Sequence, residues 1–126
     1  MNQILTISVI LIFIIIGFYF LTGSNVESIS AAQLRQKLNA NKNIGVIDVR
    51  TSSEYNGRIG NIEGSVSLPL NKLKENINKV NWQDYDEVYA ICLAGGRSAQ
   101  AVNILKKHNI KAINVRGGMT AWNMLK

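Results

Sequence analysis

The chain has 126 residues, 47% hydrophobic and 17% charged, and an apolar N-terminus so unlike the rest that about one hundred residues remain for one globular domain. Its net charge of +6 comes from lysines scattered among asparagines and acids, with no basic stripe carrying interleaved aromatics, so nucleic acid is not expected as a partner. One cysteine and one histidine are too few for an intramolecular disulfide, a zinc cluster or a Ser-His-Asp triad, and no metal or other cofactor is expected.

From Ile4 to Leu21 no residue is charged, and little is polar beyond Thr6 and Ser8. At ~1.5 Å of rise per residue, a helix of this length nearly crosses a bilayer's hydrocarbon core, with Tyr19 and Phe20 at the interfacial level. In lipid the backbone must satisfy its own hydrogen bonds, so the isoleucine-rich run is predicted to be helical. Residues 1–22 are read as an uncleaved transmembrane helix. A cleaved signal peptide is the rival, but Met1, Asn2 and Gln3 supply no basic n-region, and Leu21-Thr22-Gly23-Ser24 is a poor cleavage site. Arg35 and Lys37, on the C-terminal side, favour a single-pass cell-membrane protein with a cytoplasmic domain. Residues 23–28 read as a polar linker and 29–126 as the domain. The lysines are read as solvated surface, with attraction to anionic lipid or steering of an anionic substrate as the functional alternatives.

Within the domain, Ser30 reads as an N-cap, and Leu34 and Leu38 put an apolar stripe on a helix ending near Asn41. Residues 44–49 form a β-branched run suited to a strand buried on both faces of a parallel sheet. The glycines and small polar residues from Arg50 to Ser65 predict loop with one turn of helix. A short strand over 66–68 closes at Pro69. Leu70, Leu73 and Ile77 predict a helix over 70–79, with Trp82 and Tyr85 packing after it. Residues 87–92 are a second buried strand, Ser98 is placed to cap the helix carrying Ala101, Val102 and Leu105, residues 110–115 give a further strand, Gly117-Gly118 a turn, and 119–125 a last helix. His108 reads as a surface or C-terminal helix residue, and Trp82 and Trp122 as core aromatics. The alternation predicts an α/β domain with a mainly parallel sheet.

The sequence Cys92-Leu93-Ala94-Gly95-Gly96-Arg97-Ser98 runs from a strand's C-terminal end into a helix N-terminus, where open α/β sheets place ligands. Gly95 and Gly96 permit the positive φ that turns successive amides inward as an anion nest. With the helix dipole and the Arg97 guanidinium beside it, Cys92 is expected to ionise at lower pH than a free thiol. Such a thiolate attacks a sulfane sulfur and keeps it as a persulfide without a separate base. The plainer alternative is a buried structural cysteine at a strand end.

Three motifs now stand in order: Ile47-Asp48-Val49-Arg50 followed by Glu54-Tyr55, the loop from Cys92 to Ser98, and Gly117-Gly118-Met119-Thr120-Ala121-Trp122. Through them residues 29–126 resemble the rhodanese family. The resemblance implies a five-stranded parallel sheet flanked by helices and an enzyme that moves sulfur from thiosulfate or a low-molecular-weight persulfide to a thiol or cyanide through a Cys92 persulfide. Four residues between Cys92 and Arg97 resemble its sulfurtransferases, whereas its phosphatases have five. Cys92 and Arg97 are the expected catalytic residues, and Leu93, Ala94, Gly95, Gly96 and Ser98 the substrate-binding cup. Asp48 and Arg50 are expected to brace it. Arg97 would meet an anionic donor, or turn to Asp48 or Glu54 and fix the loop; Ser98 would cap its helix and secondarily face the sulfur. Where the family often reads Gly-His-Ile-x-Gly-Ala, this chain has Gly60-Asn61-Ile62-Glu63-Gly64-Ser65, slightly displaced. A second reading, from another class, is a membrane-bound sulfur-carrier or interaction module that holds persulfide for a protein acceptor and turns over small donors poorly.

Overall fold

A computed structural model describes residues 2–21, 26–41 and 43–126. Helix α1, Asn2–Leu21, is one uninterrupted apolar helix, and its described side chains from Asn2 to Phe18 lie almost wholly on the outside. The hydroxyls of Thr6 and Ser8 turn back into the helix: Thr6 donates to the carbonyl of Asn2 at 2.8 Å and Ser8 to that of Ile4 at 2.9 Å. By length and composition α1 is able to cross a membrane, a property that signal sequences share. Gly23 to Asn25 of the predicted linker lie outside the described residues.

Five parallel strands follow in the order β1-β5-β4-β2-β3: β1 is Ser28–Ser30, β2 Ile44–Asp48, β3 Val66–Ser67, β4 Glu87–Ile91 and β5 Ile113–Arg116. The helices are α2 Ala31–Ala40, the single turn α3 Ser52–Tyr55, α4 Leu73–Asn76, α5 Gly96–Lys107 and α6 Gly118–Asn123. Strand β1 begins inside the stretch read as linker. Three residues are too few to show a periodic pattern, and β1 is recognisable only from its pairing with β5. Ser30 caps α2 as expected: its hydroxyl accepts from Gln33 N while the Gln33 side chain accepts from Ser30 N, closing a capping box. The helix expected over 70–79 is broken into 3-10 turns at Leu70–Lys72 and Ile77–Lys79 on either side of α4, which still bury Leu73 and Ile77.

Side-chain alternation along the central strands builds two cores, one on each face. Ile47, Val49, Val88, Ala90 and Cys92 meet Ala101, Val102 and Leu105 of α5, whereas Val46, Tyr89 and Ile91 meet Ala31 and Leu34 of α2 and Met119 of α6. Leu34, Ile47, Leu73, Ile91 and Leu105 are completely buried, and each contributes about 1.5–3 kcal/mol over an exposed position. Strand parity also matters for the chemistry. Because Val88, Ala90 and Cys92 share a face, the cysteine side chain turns toward α5 and its N-terminus.

Candidate active site around Cys92

Cys92 follows the last residue of β4, and its thiol is aimed into the turn that starts α5. The turn is tight because Gly95 sits at φ +116°, a conformation other residues rarely adopt. That twist brings Gly95 N–H to 3.0 Å from Cys92 Sγ, and the Ser98 hydroxyl stands 3.2 Å away on the first turn of α5. Burial disfavours the thiolate, but the Ser98 hydroxyl and the amides of Ser98, Gly95 and Ala94 outweigh it and hold the Cys92 thiol below its ordinary value. The cysteine is 1% exposed, yet Ala94 and Gly96 are exposed and Leu93 is half-buried. The sulfur thus lies one residue layer below the surface.

Ser98 does not cap α5. That place belongs to Gly95, whose left-handed backbone suits the turn, and Ser98 lies inside the helix. Its hydroxyl is within reach of Asn114 Oδ1 at 2.6 Å and of the Gly95 carbonyl at 3.1 Å as well as the sulfur. A hydroxyl has one proton, so its donation to a thiolate goes with a half-turn of the Asn114 amide, which then donates Nδ2–H to Ser98 Oγ. Asn114 was not among the residues picked out from the sequence. Its signal was there: a polar residue between Ile113 and Val115 in an apolar strand, buried in the structure.

The strand-to-helix turn at Gly117-Gly118 locks the loop from the other side. Met119 N–H donates to the Cys92 carbonyl at 2.8 Å and Thr120 N–H to that of Leu93 at 3.0 Å. Gly118, at φ +52°, packs so closely that an added Cβ would overlap both carbonyls.

Arg97 turns away from the sulfur to Glu54, with Nη1 to Oε2 at 2.7 Å and Nη2 to Oε1 at 3.0 Å. This paired geometry lowers Glu54 to about 2 and raises Arg97. Asp48 and Arg50 are fully buried and bound to each other, Arg50 Nη2 to Asp48 Oδ2 at 2.7 Å and Nε to Oδ1 at 3.0 Å. The remaining Arg50 donors hold the carbonyls of Gly60 at 2.8 Å and Glu54 at 3.3 Å, so the pair ties the loop after β2 to the sheet. Asn61 donates to the Tyr55 carbonyl at 3.0 Å and Tyr55 donates to that of Ser65 at 2.9 Å, which closes this loop despite its displaced sequence.

Cys92, Leu93, Ala94, Gly95, Gly96, Arg97 and Ser98 therefore lie on one strand-to-helix turn, and the Asp48–Arg50 pair is tied to it through Glu54, whose carbonyl Arg50 holds and whose carboxylate holds Arg97. A cleft of about 260 Å³ lies beside Leu93, lined by Arg50, Glu54, Gly57, Arg58 and Ile59. Larger concavities, about 530 and 500 Å³, lie at the other end of the sheet around Glu87 and Lys111, away from the cysteine. No metal-binding group of His, Cys, Asp and Glu occurs among the described residues.

Residues 30–125 match the family described as rhodanese-like domain. Over 101 residues the chain is 35% identical to a Bacillus subtilis protein provisionally named as the sulfur carrier YrkF, a match covering 79% of this chain and 52% of that one. The chain thus spans about half of that relative's length. A second Bacillus subtilis protein, provisionally named as the sulfurtransferase YtwF, is 34% identical over 98 residues, covering 77% of this chain and 90% of its own. The crystal structure of a rhodanese-like domain protein from Staphylococcus aureus superposes with a TM-score of 0.68 at 35% identity, covering 76% of this chain and 90% of that one.

Proposed function

The chain belongs to the rhodanese-like domain family, and on this premise we propose that it is a sulfurtransferase of that type whose Cys92 carries the sulfur as a persulfide. The observation that carries the reading is the convergence of Gly95 N–H and the Ser98 hydroxyl on Cys92 Sγ. In the first step the Cys92 thiolate attacks the sulfane sulfur of thiosulfate or of a small persulfide; a new S–S bond forms, the donor's own bond breaks, and sulfite or a thiolate leaves. In the second step a thiol or cyanide acceptor attacks the outer sulfur and Cys92 leaves as thiolate. Negative charge sits on sulfur at the loop throughout, where the donors favour it. The sequence of steps is ping-pong.

Arg97 and the cup of Leu93, Ala94, Gly95, Gly96 and Ser98 take part in different ways. Gly95 and Ser98 contact the sulfur and the rest of the cup shapes the turn around it, whereas Arg97, held by Glu54, positions the loop. Asp48 and Arg50 brace the second loop beneath it. A sulfur-carrier role, with a protein as acceptor, is the second reading; it is favoured by the name of the YrkF relative.

Residues 1–22 serve in this reading as the membrane anchor, with the domain over 29–126 on the cytoplasmic side.

Incubation of the full chain with thiosulfate or glutathione persulfide, followed by intact-mass analysis, should show a gain of one sulfur atom on Cys92. Cys92→Ser should show none and lose all turnover while keeping its unfolding curve. Full activity of that variant would sink the mechanism. A stable adduct with negligible turnover of small acceptors would select the carrier role.

A further inference from the structure

Four arginines stand at the C-terminal end of the sheet, and three of them are engaged. Arg50 is held by Asp48, Arg97 by Glu54, and Arg116 Nη1 reaches the Ser28 carbonyl at 3.5 Å. Arg58 has no hydrogen bond or ion pair among the described residues. The loop that carries it is nevertheless fixed by three bonds on its neighbours: Gly60 N–H donates to the Gly57 carbonyl at 3.1 Å, Arg50 donates to the Gly60 carbonyl at 2.8 Å, and Asn123 Nδ2 donates to the Ile59 carbonyl at 3.3 Å. Arg58, on this anchored loop, lines the same cleft as Leu93, the residue after the nucleophile.

We propose that this cleft is a subsite for the non-reacting half of a low-molecular-weight thiol or persulfide ending in a carboxylate, with Arg58 meeting the carboxylate and Ile59 and Leu93 covering the carbon chain. The inference deepens the sulfur-transfer reading and rests on it for the identity of the reacting end. Of the other ionised groups on the cleft wall, Arg50 is already paired with Asp48 and Glu54 with Arg97, so Glu54 repels an incoming carboxylate only weakly. Ile59 is 44% exposed, an apolar side chain left at the mouth rather than in either core. A volume of about 260 Å³ lies below the range of drug-sized pockets and matches a small molecule rather than a protein segment. In the donor direction the balance is R–S–SH plus Cys92–S⁻ giving Cys92–S–SH plus R–S⁻; in the acceptor direction it runs in reverse. One S–S bond forms as one breaks, and no outside oxidant or reductant enters.

The test uses the full chain in non-ionic detergent and S-methylglutathione, which has carboxylates but no sulfur to give or accept. Titration followed by NMR should show binding by the wild type, about three- to tenfold weaker binding by Arg58→Gln, and retention in Arg58→Lys. The dimethyl ester of the same probe should bind wild type and Arg58→Gln alike. Equal weakening for acid and ester, or no effect of Arg58→Gln, would overturn the subsite. Probe binding that depends on Arg58 in a protein that never takes up sulfur would leave the subsite standing and remove the sulfur-transfer reading. Sulfur uptake without Arg58-dependent binding would do the opposite.

Discussion

The loops that follow β2 and β4 leave the same end of the sheet and are held by opposite means. The loop after β4 is shaped by main chain: Gly95 turns its amide onto the sulfur, and the amides of Met119 and Thr120 fasten the carbonyls of Cys92 and Leu93 from behind. The loop after β2 is shaped by charged side chains, with Asp48 and Arg50 buried at its root and Glu54 gripping Arg97 at its rim. Main-chain donors cannot be titrated and hardly move, which suits a group that must stabilise anionic sulfur in every state of a reaction. Ion pairs depend on both partners, and they suit a wall that fixes position without touching the sulfur.

The sharpest way to break this contrast is to remove the root of the second loop. Arg50→Met leaves the Asp48 carboxylate buried without its partner, and unfolding of the full chain by urea should show a loss of about 3–5 kcal/mol. Pairing it with Asp48→Leu should recover much of that stability, yet the Gly60 and Glu54 carbonyls would still lack their donor. The double variant should therefore fold with a loosened loop. A single variant as stable as wild type would show that charge does not hold this loop.

The corresponding test of the first loop is Gly118→Ala. The added methyl meets the Cys92 and Leu93 carbonyls at a backbone angle alanine resists, and the expected loss is about 1–3 kcal/mol. Sulfur uptake by Cys92 should slow more than stability alone explains, read as adduct formation under conditions where the variant is fully folded. Unchanged uptake would mean that the latch does not position the cysteine.

These loops also differ in how plainly the sequence announces them. Cysteine, paired glycines, arginine and serine in a row between a β-branched run and a helical stripe describe the first loop almost completely, because its geometry is local and glycine is the residue such geometry requires. The parallel sheet was legible for the same reason in residues 44–49 and 87–92, which are apolar on both faces. Distance in sequence hid the rest. Glu54 stood only as one possible partner for Arg97, and nothing local to Asn114 says that it meets Ser98. Gly118 reads as a turn residue, while its contact with Cys92 depends on how β5 and β4 lie together. The helix expected over 70–79 failed through its interior, where apolar spacing was right but 3-10 turns interrupt the regular winding.

Ser98→Ala gives a smaller effect within the first loop. Losing one donor to sulfur should raise the Cys92 thiol toward its ordinary value, since the Ser98 hydroxyl is the largest of the contributions that lower it. Sulfur uptake near neutral pH should fall about three- to tenfold and recover as pH rises toward 9, because only the thiolate attacks. A pH profile that keeps its midpoint would assign the hydroxyl to packing alone.

The smallest effect belongs to the rim of the second loop, and its value lies in its sign. Glu54 is lowered from an ordinary 4.5 to about 2, chiefly by its hydrogen bond to Arg97. A carboxylate lowered on folding stabilises the fold above its unfolded value, and that contribution fades as pH falls from 4.5 toward 2. Because the pair is about one-third exposed on each side, its worth is within about 1 kcal/mol. Glu54→Gln should be less stable than wild type by that small amount at pH 6, and the gap should narrow toward pH 2 as the wild-type carboxyl takes its proton. Added salt should narrow it as well, by screening the pair. The Met119 contact with the Cys92 carbonyl carries no ionisable partner and should keep that carbonyl protected from loosening over that window. A gap that stays constant with pH would mean that Glu54 acts through its shape and its bonds to Thr51, and the contrast between a charged wall and a main-chain cup would fail at this residue.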